Sequence, residues 1–105
     1  MTGVACDLCT LPIDAIADAS AFTWFDGFGR CTRQGLAHAH CVGELRQKLG
    51  DSEDSIADQP AKEFLEASAV RGPRSHSGRL VLARVRQLWR HDPDVRRRPP
   101  SEKSA

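Results

Sequence analysis

Tyrosine is absent from this 105-residue chain, tryptophan occurs twice and phenylalanine four times, so aromatics make up only 6% of it. Apolar residues reach 40%, a thin stock for a core, and a fold of this size is expected to need a further fastening. No run approaches the ~18–20 apolar residues that cross a bilayer. No basic start followed by an apolar stretch marks a secretory signal. Lysine is scarce as well, at 3 against 12 arginines. These absences exclude a transmembrane protein, a collagen-like fibre and a large multidomain enzyme. The expected setting is cytoplasmic. There, four cysteines in so short a chain more often hold metal or do redox work than form disulfides.

The formal net charge of +1 conceals a strong asymmetry. Residues 1–70 carry 5 Lys/Arg against 11 Asp/Glu, a net of −6, and residues 71–105 carry 10 against 3, a net of +7. A basic end of this kind suggests its own partner, or attraction between the two ends. The preference for arginine favours bidentate contacts with phosphate or carboxylate.

Along the chain, Ala21-Phe22-Thr23-Trp24-Phe25 is rich in β-favouring residues, and Asp26-Gly27-Phe28-Gly29 is a turn signal. Arg30 to Gln34 then returns as the second strand of a hairpin that Gly35 ends. A helix is predicted from about Leu36 to Leu49, with Val42, Leu45 and Leu49 as its apolar stripe and Gly50 as its stop. Residues 51–59 read as a solvated acidic linker. Pro60 opens a second helix to about Val70, with Ala61, Phe64, Leu65 and Ser68 inward. A Ser/Gly/Pro-rich loop follows. The last helix is predicted from about Gly78 to His91, with Val81, Leu82, Val85, Leu88 and Trp89 as its inner stripe. Beyond Pro93, the run Arg96-Arg97-Arg98-Pro99-Pro100 has almost nothing to bury, and residues 93–105 are expected to be disordered.

Cys6-x2-Cys9 and His38-x2-Cys41 form the two halves of a metal constellation. Zn²⁺ takes four soft or borderline ligands in a tetrahedron. A two-residue gap lets one tight turn aim two thiolates at a point. Positions i and i+3 share a helix face, so His38 and Cys41 are expected to reach one ion from a helix's first turn. The positive helix start should also favour the thiolate. At ~100° per residue, His38 falls on the same face as Cys41 and Val42, whereas His40 points away to solvent. Cys31 is a rival: a Cys6/Cys9/Cys31/Cys41 set would suit zinc or an iron–sulfur cluster. Thiol–disulfide exchange fits poorly, because a thioredoxin-type Cys-x-x-Cys sits between a strand and a helix, whereas five residues precede Cys6 and Pro12 follows closely.

With Cys6-x2-Cys9, a hairpin, and His38-x2-Cys41 at a helix start, residues 6–49 resemble a treble-clef zinc finger, in particular the first half of a LIM domain. The resemblance implies Cys6 and Cys9 as knuckle ligands, His38 and Cys41 as helical ligands, and one structural Zn²⁺. The 28 residues between Cys9 and His38 exceed the usual LIM spacing, and a second finger is missing. Three thiolates and one neutral imidazole would give a site of net charge −1. Four protein ligands leave no open position, which makes such a site structural.

The expected architecture is therefore a small α+β protein. It comprises a zinc finger over residues 1–50, a helical segment over 51–92 with helices at about 60–70 and 78–91, and a basic tail. On the last helix Arg79, Arg86 and Arg90 lie within roughly 40° of one another, and Arg96, Arg97 and Arg98 extend the charge. An arginine ridge with a following arm is suited to tracking phosphates without reading bases. The leading expectation is a non-enzymatic module binding nucleic acid non-specifically. The alternative is a protein-interaction adaptor or inhibitor using the hairpin and last helix. No nucleophile–base pair, phosphate loop or open metal site is visible.

Overall fold

The computed structural model describes residues 4–92. Two short strands, β1 (Val4–Ala5) and β2 (Pro12–Ile13), pair antiparallel around a tight loop. A 3-10 turn (Ile16–Asp18) leads into β3 (Ala19–Phe25), followed by β4 (Cys31–His38) and α1 (Ala39–Leu49). Then come β5 (Ser55–Pro60), α2 (Ala61–Val70) and α3 (His76–His91). The larger sheet has the order β4-β3-β5, antiparallel throughout. The arrangement is α+β. No helix among the described residues is long and apolar enough to cross a membrane.

The hairpin forms where the turn chemistry demands it. The Asp26 carboxylate accepts from the amides of Phe28 (2.8 Å) and Arg30 (3.0 Å), and Gly29 takes the left-handed conformation at φ 78°. An Asx-type turn of this kind holds the tip while a bulge at Trp24/Phe25 adjusts the register. The strands run further than composition indicates. Gly35 does not end β4; a Cβ there would press on Asp7 Oδ2 and lie 2.9 Å from the Phe22 ring. It is a glycine of close approach rather than of termination.

Two further expectations are corrected. The first helix begins at Ala39, not Leu36, because Leu36, Ala37 and His38 pair with Ala21, Ser20 and Ala19 of β3. His38 is thus the N-cap of α1, with extended dihedrals (φ −62°, ψ 141°), and not a residue of its first turn. The acidic stretch is also no linker: Ser55–Pro60 is the third strand of the sheet, in register with Phe25–Ser20. Asp54 accepts from Trp24 Nε1 (3.0 Å), so the half-buried Trp24 serves the sheet; Arg46 of α1 reaches across to the Ile56 carbonyl (3.2 Å) and to Asp58. Gly50 closes α1 as expected, with φ 43°. Helices α2 and α3 follow their predicted bounds closely, α3 starting two residues earlier with Ser75 as N-cap.

One core joins all parts. Val4, Ile13 and Ile16 meet Phe22 and Leu36 of the sheet, Val42 of α1, Ala61 of α2, and Val81, Val85 and Leu88 of α3. Phe22 is the largest fully buried side chain, and burying a side chain of that size is worth about 1.5–3 kcal/mol. Cys6 and Cys41 belong to this same cluster, so the cysteine site lies at the rim of the core.

Candidate metal centre

The β1–β2 loop is shaped by two backbone hydrogen bonds, Cys6 N to Leu11 O (2.9 Å) and Thr10 N to Cys6 O (3.0 Å), with Thr10 left-handed at φ 67°. This knuckle turns Cys6 and Cys9 towards the junction of β4 and α1, where His38 and Cys41 lie. The thiol sulfurs of Cys6, Cys9 and Cys41 and a ring nitrogen of His38 all fall within 4.8 Å of one another. These four residues could hold a single metal ion. Cys9 Sγ lies 3.3 Å and Cys41 Sγ 3.7 Å from His38 Nδ1. On its far side, His38 Nε2 is 3.2 Å from the carbonyl of Pro12. A carbonyl only accepts, so Nε2 is the donor in this contact, and Nδ1 is the ring nitrogen that faces the thiols. This is the second-contact arrangement that fixes a histidine ligand's tautomer.

Electrostatics divide the cysteines. Burial raises the Cys6 thiol, but the backbone amides of Cys9, His38 and Leu8, each 3.4 Å from Sγ, together with the Cys9 thiol, outweigh it and lower the pKa from 9.0 to about 6. Cys41 goes the other way, pushed up to about 12 by burial first and then by the neighbouring Cys9 and Cys6. A cation placed among the four would reverse the balance, since the repulsion that keeps Cys41 protonated becomes attraction to a shared centre.

The remaining candidates are distributed elsewhere. Cys31 is exposed at the start of β4, seven residues along an extended strand from His38, roughly 23 Å away, and it is not part of the cluster. His40 is exposed, as expected, though its ring stacks on that of His38 at 5.1 Å. Arg79, Arg86 and Arg90 are exposed on α3, and among the described residues no carboxylate pairs with them. Arg96, Arg97 and Arg98, with the tail expected to be disordered, lie outside the described residues.

Sequence reasoning missed Arg84 and Asp7. Asp7, between the two knuckle cysteines, donates its amide to Leu36 O (2.9 Å) and accepts from Leu36 N (2.8 Å) and Arg84 Nη1 (2.6 Å) through Oδ2. Its carbonyl accepts from Arg33 (2.8 Å), and Arg84 Nη2 donates to the carbonyl of Ala5. A Cys-Asp-x-Cys knuckle flags the aspartate only weakly, and nothing local singles out Arg84 among its neighbours. No protein-family model, curated protein or solved structure matches this chain.

Proposed function

We propose that the chain is a small, non-enzymatic binding module whose fold is fastened by one structural Zn²⁺ held by Cys6, Cys9, His38 and Cys41. The observation that carries this reading is the convergence of three sulfurs and one imidazole nitrogen within 4.8 Å. Zn–S bonds of about 2.3 Å and Zn–N of about 2.0 Å give tetrahedral edges of ~3.5–3.8 Å, so separations reaching 4.8 Å would close by roughly 1 Å at most and the 3.3 Å Cys9–His38 approach would open slightly. Three thiolates and an imidazole suit zinc better than the hard cations that prefer oxygen. The knuckle, hairpin and following helix support assignment to the treble-clef type. When bound, the ion supplies folding free energy. The chain's residues supply the rest: His38 is oriented by Pro12, and Cys6 is poised as a thiolate by three amides. Elemental analysis of the purified protein should find one zinc per chain; its absence would overturn the assignment.

The partner we propose is nucleic acid, contacted without sequence preference through Arg79, Arg86 and Arg90 with Arg96, Arg97 and Arg98. The support is the exposed ridge on α3, which meets no carboxylate among the described residues, and the charge asymmetry of the chain. Six phosphate contacts give a slope of log K against log salt of roughly −5. Anisotropy titrations with an arbitrary labelled duplex and a single strand should show that slope, and replacing the three helix arginines by alanine should reduce it by about 3. No binding to either at 50 mM salt would remove the reading. An adaptor role is favoured instead by Phe28, 85% exposed at the hairpin tip with the Arg30 guanidinium 5.8 Å above its ring. Unchanged DNA binding but lost partner binding in Phe28→Ser would support it.

A further inference from the structure

We propose that the metal centre is energetically coupled to α3 through Arg84, so that metal occupancy governs how firmly the arginine-bearing helix is held. The inference rests on the zinc assignment above and adds a regulation to it. Its basis is the fork that Arg84 places around a ligand. Nη1 takes the Asp7 carboxylate and Nη2 the Ala5 carbonyl, the residues immediately after and before Cys6. The metal ligand and the anchor of the helix are therefore consecutive along one piece of backbone.

That backbone is fastened to β4 through Asp7, which exchanges bonds with both the amide and the carbonyl of Leu36, but it has little regular structure of its own. The strands β1 and β2 are two residues each, and the loop between them is tied by the Cys6–Leu11 and Thr10–Cys6 bonds. A bound ion would fix the positions of Cys6 and Cys9, and with them Asp7. Displacement of Asp7 cannot be absorbed locally. Its carboxylate is seated on Gly35, where a single methyl group would already collide, and it is held there by Leu36 N. Movement of the knuckle is thus passed to Arg84.

On α3 the polar tethers among the described residues include Ser75 to Gln34 (3.1 Å) near one end and Asp92 to the Ile16 amide (2.8 Å) just past the other. Arg84 lies between them, its side chain 29% exposed, while Arg79, Arg86 and Arg90 face solvent. It is a positioning residue. Losing its acceptors would leave the middle of the helix held by apolar packing, chiefly of Val81, Leu82, Val85 and Leu88. Coupling of this kind is reciprocal: whatever metal contributes to α3, Arg84 contributes to metal affinity.

The test measures zinc affinity by chelator competition and amide exchange of residues 80–88 in the full chain. Arg84→Met should weaken zinc binding roughly tenfold, within the ~5–150-fold span usual for coupled sites, and Arg90→Met should leave it within about twofold. Asp7→Asn and Arg84→Met combined should weaken binding little more than either alone, a non-additivity that general destabilisation does not produce. Removing zinc from the unsubstituted chain should speed exchange at 80–88 at least about tenfold; this measurement decides the matter if Arg84→Met does not fold. Zinc affinity of Arg84→Met within twofold of the parent, additive substitutions, or unchanged exchange on chelation would each overturn the coupling while leaving the zinc assignment intact. A parent chain that takes up no zinc would overturn the assignment itself.

Discussion

Two glycines inside regular elements should respond to alanine with opposite sign. At Gly35 the new methyl group would press on Asp7 Oδ2 and approach Phe22 Cε1 and Cζ at 2.9 Å. Neither neighbour can yield cheaply. Phe22 is 2% exposed in the core, and the Asp7 carboxylate is held by Leu36 N and Arg84. Overpacking of this kind costs about 1–3 kcal/mol, and the reduced backbone entropy of alanine returns about 0.5–1, leaving a net loss of about 1–2 kcal/mol. At Gly43 a Cβ meets nothing within 4 Å. The position is interior to α1, so Gly43→Ala should gain about 0.5–1 kcal/mol. In urea, with a slope of about 1–3 kcal/mol per molar, the midpoint of Gly35→Ala should fall by roughly 0.5–1 M and that of Gly43→Ala rise by a few tenths. Both are to be measured by circular dichroism at one saturating zinc concentration, because ligand excess itself shifts apparent stability. A Gly35→Ala midpoint at or above the parent's, or shifts of the same sign at both sites, would refute the packing argument.

Zinc uptake at pH 7 should release at least one proton per ion. The Cys41 thiol, pushed up to about 12, is protonated before binding, whereas Cys6, lowered to about 6, is mostly thiolate already. Affinity should therefore rise with pH and fall more steeply below about pH 6, where Cys6 must also lose a proton; calorimetry in buffers of different ionisation enthalpy reads the proton count. Cys9→Ser, Cys41→Ser and His38→Ala should lose zinc by elemental analysis, the cysteine variants unfolding residues 1–50 by amide exchange, while His40→Ala retains a full equivalent. Retention in His38→Ala with loss in His40→Ala would reverse the ligand assignment. Asp92 is 2% exposed and accepts from the Ile16 amide; Asp92→Ala leaves that donor without this acceptor and should cost about 1–3 kcal/mol, read as a lowered urea midpoint.

Much of this site was legible in the sequence because its signals are local. The spacings Cys6-x2-Cys9 and His38-x2-Cys41 survive any error in element boundaries. Indeed, His38 reaches the cluster from a strand end rather than from a helix face. The turn at Asp26 to Gly29 and the bounds of α2 and α3 follow from short-range chemistry and from one apolar stripe each. The β5 strand was not legible: Ser55-Ile56-Ala57-Asp58-Gln59-Pro60 is mostly exposed, lacks clean alternation, and becomes a strand only because β3 offers it a ladder. The same ladder on the other side of β3 overrides helix-compatible Leu36-Ala37-His38. Arg84 and Asp7 are 77 positions apart, and no pattern in either neighbourhood announces a contact at that distance.

The larger sheet has two outer strands, and each has part of its open edge obstructed. Leu36 spends both its amide and its carbonyl on Asp7, so the knuckle stands where a foreign strand would add to β4. Its opposite number Ala21 consequently turns to β5, and alternation leaves Ile56, Asp58 and Pro60 facing outward there. Arg46 covers the Ile56 carbonyl and pairs with Asp58, and Pro60 has no amide hydrogen to offer. A charge and a proline are common guards against edge-to-edge aggregation. On the β4 side, however, the guard is the knuckle itself, so a chain stripped of its metal should become prone to strand exchange and fibrillar association along that margin.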